Sequence, residues 1–331
     1  MKLAFAAIAA ALGLALVVSL ERPVQTQAST PLFQEAFEDT SFPSRGWYDG
    51  TGATLSTAEF YGGARSYECH FPVGGMICAG GTPSRHLFTP TDSVYVSFYI
   101  KHSTNFVGSG RPYHPHMFYV LTTEDVAYVG PAYTYLTAYI EAFGGVPDLA
   151  IQDGRNIDEA RIGQDLTNVT EQRAVAGCNG DSDGYGLGAC YPAGSVHWNS
   201  KSWTANGQVY FDNTAGGPRY KGNWHLVEAY FRLNSIVNGK GVKDGILRYW
   251  YDGTLIIDSA NVMMRTAVHP NMKFNQFLIS PWIGDGSPAD QRFWVDNLLV
   301  ATARPATPPA PPGGGASARP ERPANLSIVG P

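Results

Sequence analysis

From Trp224 to Asn234 the chain reads WHLVEAYFRLN, and alternate residues in this run are equipped for chemistry. Side chains of an extended strand point to opposite faces with period two. Glu228, Tyr230, Arg232 and Asn234 therefore share one side, and Val227, Ala229, Phe231 and Leu233 share the other. Two further runs have the same character: 94–102 sets Tyr95, Ser97, Tyr99 and Lys101 on one side, and 135–142 sets Tyr135, Thr137, Tyr139 and Glu141 on one side. Joined on one surface, these residues offer tyrosines, carboxylates and cations. Phenol rings stack on sugar faces while their hydroxyls bond sugar oxygens, so three such strands together point to a glycan groove rather than a merely solvated sheet face.

That inventory suits one reaction in particular. β-Elimination next to a uronate carboxylate needs a group that neutralises the carboxylate, a base for the adjacent proton and an acid for the leaving oxygen, and His, Tyr and Lys can carry those protons. Arg232, assisted by Asn234, is the expected neutraliser, His116 or Lys101 the base, and Tyr139 or Tyr230 the acid. His114 stands beside His116 in the segment 110–116 and joins Tyr95, Tyr99, Tyr135, Glu141, Glu228 and Asn234 as expected substrate contacts. Two histidines without a third ligand are a weak zinc signal. Glycoside hydrolysis would instead need two carboxylates across the scissile bond, for which Glu141 and Glu228 are the candidates. A third option is a glycan-binding or surface protein in which the tyrosines serve and the proton carriers are incidental.

The elements that must position these residues read as strands throughout. Alternating or aromatic-rich runs recur at 32–37, 66–71, 94–102, 116–122, 135–143, 148–153, 224–234, 245–251, 254–258, 274–282 and 292–301, punctuated by Gly, Pro, Asn and Asp. This pattern predicts an all-β antiparallel sandwich of the jelly-roll kind with elaborated loops. Asp252-Gly253, between two strand-like runs, is the clearest hairpin turn. The Gly-rich stretch 156–222 reads as a long loop.

The chain ends bound the compartment. An apolar run over residues 3–20 behind Lys2, followed by Gln27-Ala28-Ser29, has the layout of a secretory signal peptide spanning 1–28; an uncleaved membrane anchor is the alternative. A secreted, periplasmic or extracellular location follows. The four cysteines suit an oxidising compartment and form two sequence-local pairs, Cys69 with Cys78 and Cys178 with Cys190, out of three connectivities. Residues 303–331 are dominated by Pro, Ala, Gly, Ser and Arg, the composition of a linker or disordered tail, which leaves 30–302 as one domain. The chain is 44% hydrophobic with a net charge of -5, from 23 basic and 28 acidic residues. That balance argues against a nucleic-acid partner but not against an acidic polysaccharide, which a few placed cations can hold.

The strand WHLVEAYFRLN, the WYDG hairpin, the apolar run FNQFLIS and the closing WVDNLLV together resemble the concanavalin A-like jelly-roll group, most closely its secreted bacterial polysaccharide lyase-like proteins. The resemblance covers 32–302 and implies a carbohydrate-active protein that needs no cofactor. It lacks the Glu-x-Asp strand of the hydrolases of this fold and the Gln-x-His and Arg-rich strands of the best-known alginate lyases. The resemblance also implies a structural calcium at the terminal strands, with Glu35, Asp39 and Asp296 as ligands. A separate half-match to a calcium loop occurs at Asn179, Asp181 and Asp183, although Cys190 stands where such a loop ends in Glu.

Overall fold

The structure is a computed structural model that describes residues 28–110, 116–123, 136–152, 202–262, 264–265 and 270–307. Residues 1–27, with His114, Tyr135, Asn179, Asp181, Asp183, Cys178 and Cys190, lie outside the described residues. Within them the chain is almost wholly β, and two antiparallel sheets form the jelly-roll sandwich expected from the alternation. No described helix is long and apolar enough to cross a membrane.

Sheet A has the order β15 (Thr254–Val262), β14 (Gly245–Tyr251), β11 (His225–Arg232), β6 (Ser93–His102), β17 (Gln291–Ala301), β4 (Ser66–Phe71) and β3 (Thr54–Ser56), with β1 (Pro31–Glu35) also paired to β17. Sheet B has the order β10 (Ser202–Thr204), β9 (Val146–Gln152), β8 (Thr137–Phe143), β7 (His116–Thr122), β16 (Phe274–Trp282), β5 (Ser84–Thr91) and β2 (Trp47–Tyr48). A small hairpin, β12 (Ile236–Val237) with β13 (Lys240–Gly241), stands apart.

The period-two alternation places the core between the sheets. Val94, Val96, Phe98 and Ile100 of β6 and Val227, Ala229 and Phe231 of β11 meet Phe118 and Val120 of β7, Ala138 and Ile140 of β8, and Phe277 and Ile279 of β16, all buried. Phe98 and Phe118 bridge the sheets with ring centroids 4.4 Å apart. A one-residue slip of any of these strands would turn its apolar set to the outside, so the pattern that fills the core also fixes the register.

Local chemistry sets the connections. Asp252 and Gly253 both adopt positive φ, 48° and 79°, which makes the two-residue turn between Tyr251 and Thr254 the expected hairpin. The Asp252 carboxylate also accepts the Leu226 amide and meets His225 Nδ1, both at 2.8 Å, and so ties this turn to the start of β11. Cys69 of β4 is bridged to Cys78, as expected from sequence.

Residues 84–91 contain Pro90, show no clean alternation and are absent from the strand-like runs read above. The structure nevertheless makes them β5, paired on both sides. Proline is tolerated because β2 pairs only with Arg85 and His86, and the β5–β16 register shifts between Leu87 and Thr91, where Pro90 falls.

Candidate functional site

The polar strand faces read from sequence divide between the two sides of the sandwich. On sheet A, β6 and β11 pair so that Tyr230 lies opposite Tyr95, Leu226 opposite Tyr99 and Glu228 opposite Ser97, which joins their polar residues on one outer face as expected. β8 belongs to sheet B, and its Tyr139 and Glu141 face outward on the other side. Arg232 and Tyr139 therefore look away from each other across the core, and the expected set of Arg232, Tyr139 and His116 does not converge. The same geometry separates Glu141 from Glu228, so these two cannot flank one glycosidic bond.

On the sheet A face, Glu228 and Lys101 are paired within the protein. Glu228 is fully buried, accepts a hydrogen bond from the Tyr95 hydroxyl at 2.7 Å, and takes both Nε and Nη2 of Arg304 at 2.7 and 3.0 Å. Arg304 also lies 4.7 Å over the Trp250 ring. The packed chain thus extends past Thr302, where the linker composition begins. Arg232 is exposed and donates to the Asp244 carbonyl, and Lys101 pairs with Glu59. Asn234 is fully buried: its Oδ1 accepts the Met264 and Arg265 amides, so it pins a loop rather than facing the strand's ligand side. Tyr99 stacks on Tyr61 at 3.6 Å.

The residues offered for calcium are occupied in the same way. Glu35 accepts from Arg45 Nε, Trp47 Nε1 and the Phe37 amide, and Asp39 holds Arg45. Asp296 accepts the amides of Tyr61, Gly62 and Asn297, while burial pushes its carboxyl up to about 6. Among the described residues, no three His, Cys, Asp or Glu side chains gather as a metal site.

Sheet B is different. One rung of neighbouring residues crosses all of its strands: Ser202, Ala150, Tyr139, Tyr119, Leu278, Arg85 and Tyr48, each opposite the next. Residues directly opposite in an antiparallel pair point to the same side, and this side faces away from the core, as the separate cluster of Tyr119, Leu121, Tyr139, Ala150 and Leu278 shows. Tyr119 and Tyr139 hold their rings 5.0 Å apart, and the Tyr119 hydroxyl donates to the Ser280 carbonyl at 3.0 Å. Arg85 donates to Asp49 through Nε and to Gln276 Oε1 through Nη1, both at 3.1 Å. Those contacts fix the plane of its guanidinium.

The neighbouring rung sets Glu141 opposite Asp148, and Asp148 opposite Thr204. Asp148 is fully buried, and among the described residues neither of its carboxylate oxygens has a hydrogen-bond partner. Burial, with the Glu141 charge alongside, pushes its pKa up to about 8, so it is protonated at neutral pH.

Exposure rises toward one edge of this face. Arg85, Gln276, Tyr119 and Tyr139 are each no more than 4% exposed, whereas Tyr48, Ser280 and Trp282 are half-buried and Leu87 is exposed. His116 opens β7 opposite Trp282 in the same sheet; its side chain lies outside what the structure describes. Of the candidate site residues named from sequence, the structure describes the side chains of only Tyr139 and Glu141 on this face. Arg85 was missed because its strand was missed, Gln276 because it lies in a run that reads as scaffold, and Tyr119 because its neighbours on the same face are apolar. An arginine directly before His86-Leu87-Phe88 is the one signal that pointed there.

Among solved structures, the chain is similar to several polysaccharide lyases. An alginate lyase Aly36B variant in complex with alginate tetrasaccharide is 13% identical with a TM-score of 0.43, over 85% of this chain and 100% of that one. The PL-14 alginate lyase from Aplysia kurodai is 11% identical with a TM-score of 0.47, over 82% and 99%. The endo-β-1,4-glucuronan lyase from Trichoderma reesei is 13% identical with a TM-score of 0.46, over 83% and 96%. No family model and no curated protein matches the chain. At these identities no residue role transfers from those enzymes.

Proposed function

We propose that the protein is a polysaccharide lyase that takes a uronate-containing glycan on the outer face of sheet B and cleaves it by β-elimination. The observation that carries this is the single rung holding Tyr139, Tyr119, Arg85 and Tyr48 on one side of one sheet. Arg85, oriented by Asp49 and Gln276, is the neutraliser of the uronate carboxylate; a planar guanidinium suits a carboxylate better than a point charge does. Neutralisation acidifies the proton on the adjacent ring carbon. Tyr119 and Tyr139, in ring contact, divide the two proton transfers: one removes that proton and the other protonates the departing glycosidic oxygen as the ring double bond forms. Tyr48 and Trp282, at the open edge, supply the rings on which flanking sugars stack. The elimination asks for no metal.

This assignment carries a physical requirement. The rung is buried at Arg85, Tyr119 and Tyr139, so the polymer first meets Tyr48 and Trp282 and the face must become accessible before chemistry. The Cys69–Cys78 bridge supports action in an oxidising compartment, in keeping with export by the N-terminal segment.

A second mechanism on the same face is favoured by one observation, the adjacency of Glu141 to a carboxyl held protonated. Two neighbouring acids, one of them pushed up in pKa, are the pattern of glycoside hydrolysis. Product chemistry separates the two. On a panel of polyuronates, elimination yields an ultraviolet-absorbing unsaturated sugar end, whereas hydrolysis yields new reducing ends without that absorbance. A protein that binds these polymers and releases neither product has no catalytic face on sheet B.

A further inference from the structure

We propose that a cavity at the end of the sandwich, beside the turn between β8 and β9, binds a small organic carboxylate no larger than a single sugar acid. The cavity holds about 180 Å³ and is lined by His102, Phe106, Met117, Phe211 and Lys221, with Gly144 at its mouth. A single water needs roughly 10–15 Å³ on the same measure, so the space suits a compact organic molecule. It lies on the core side of β8, opposite the face that carries Tyr139, and is a separate site.

Its floor is polar and underpaired. Lys221 is 5% exposed, and its ammonium donates to the Phe106 carbonyl at 2.6 Å; among the described residues no carboxylate pairs with it. An ammonium has three protons to donate, and a buried cation without a counter-ion is strongly disfavoured. His102 is 4% exposed, with its ring 4.6 Å from that of Phe106 and 5.0 Å from that of Phe211, and its Nδ1 has no partner. Burial first, then repulsion from His225 and Lys221, pushes His102 down to about 3, so it is a neutral imidazole with one N–H to give.

An oxyanion between Lys221 and His102 would satisfy both. The walls decide what else the molecule carries. Phe106, Met117 and Phe211 fit a carbon body, and among the described residues no arginine or acidic side chain lines the space, which favours a carboxylate over a phosphate or a cation. The wall is rigidly built: a Cβ on Gly145 would meet the Phe211 carbonyl oxygen at 2.5 Å, and the Gly145 carbonyl accepts the amides of Tyr210 and Phe211. The mouth is open, since a Cβ on exposed Gly144 would meet nothing within 4 Å.

The test is thermal denaturation of the full chain against increasing sodium glucuronate and sodium acetate, with glucose and sodium chloride at matched concentration and ionic strength as controls. A ligand of the folded state raises Tm with concentration according to its affinity. Expected is a rise with the carboxylates and none with glucose or chloride. Lys221→Met should lose that response by at least about tenfold in affinity while melting no lower than the parent, because it removes a buried charge that has no counter-ion. If Lys221→Met does not fold, the pair Gly144→Asp and Gly144→Asn decides: both side chains tolerate the left-handed backbone there, so only the added negative charge should weaken the anion. A response absent from the parent, equal with glucose or chloride, retained in Lys221→Met, or unchanged between the two Gly144 variants would overturn the proposal.

Discussion

The outer faces of the two sheets carry similar residue types and differ in how their carboxyls are held. On sheet A, Glu228 pairs with Arg304, Lys101 with Glu59, Arg248 with Asp258, and Arg292 with Glu68, while exposed Arg232 donates to the Asp244 carbonyl. On sheet B, Arg85 pairs with Asp49 within a rung of tyrosines, and two carboxyls sit side by side with one kept protonated. Carboxyls met by cations at a surface are ordinary structural pairs. The protonated acid beside phenols and an oriented guanidinium is what the proposed site on sheet B rests on.

The largest expected effect breaks this contrast directly. Tyr139→Phe keeps the ring and removes only the hydroxyl, and should lower the rate of unsaturated-product formation by roughly 10²–10⁴-fold, the worth of a positioned proton carrier. Arg85→Ala should also abolish turnover, with Arg85→Lys a poor replacement because it loses the planar fork. Arg232→Ala and Tyr230→Phe on sheet A should leave the rate near that of the parent. The reverse result, loss at Arg232 and indifference at Arg85, would move the site to the other face.

Asp148 gives a pH signature of sheet B. Its carboxyl has an ordinary value of 3.8 and is pushed up to about 8 in the fold. Between those values the folded protein holds one more proton than the unfolded chain. Stability is therefore greatest below the lower value, falls as pH rises through the window, and levels off above the upper one. The swing attached to this group is at most roughly 6 kcal/mol. Asp148→Asn cannot ionise, so urea midpoints of parent and variant should diverge in favour of the variant as pH rises from about 5 to about 9. Parallel pH dependences would show that Asp148 is not held protonated.

Much of the fold was legible in sequence, because period-two alternation is a local property and the core needs it at every strand. The faces of β6 and β11 and the Asp252-Gly253 turn follow from neighbours in the chain. Which strands share a sheet is not local: β8 looks like β6 in pattern, with Tyr139 and Glu141 matching Tyr99 and Lys101, yet it pairs with β7 and β9. Arg304 looked like the start of a linker, and only the fold reveals Glu228 buried beneath it. Arg85 was hidden by Pro90, whose missing N–H costs nothing at a register shift but reads in sequence as a strand breaker.

Arg304→Ala is the next effect in size. It leaves Glu228 fully buried without its cation, which should cost roughly 2–4 kcal/mol, at the lower end because the guanidinium is itself partly exposed. Combining it with Glu228→Gln should recover part of the loss, since the stranded charge is then gone. Both are read from denaturant midpoints. A cost no greater than that of a surface pair would mean the C-terminal segment does not seal sheet A.

The smallest effect calibrates the others. Arg248 Nε and Asp258 Oδ1 lie 2.7 Å apart on the edge strands β14 and β15, with side chains 31% and 46% exposed. Water and salt screen such a pair, and holding both long side chains in place offsets part of the attraction. Arg248→Ala should cost only about 0.2–1 kcal/mol, less still in high salt, and leave polysaccharide cleavage unchanged. The distance in this pair equals the shortest in the Arg304–Glu228 pair, so the difference in cost between the two variants isolates desolvation from geometry. If Arg248→Ala cost as much as Arg304→Ala, burial of Glu228 would not be what ties the C-terminal segment to sheet A, and the contrast between a sealed face and a reactive one would have to rest on sheet B alone.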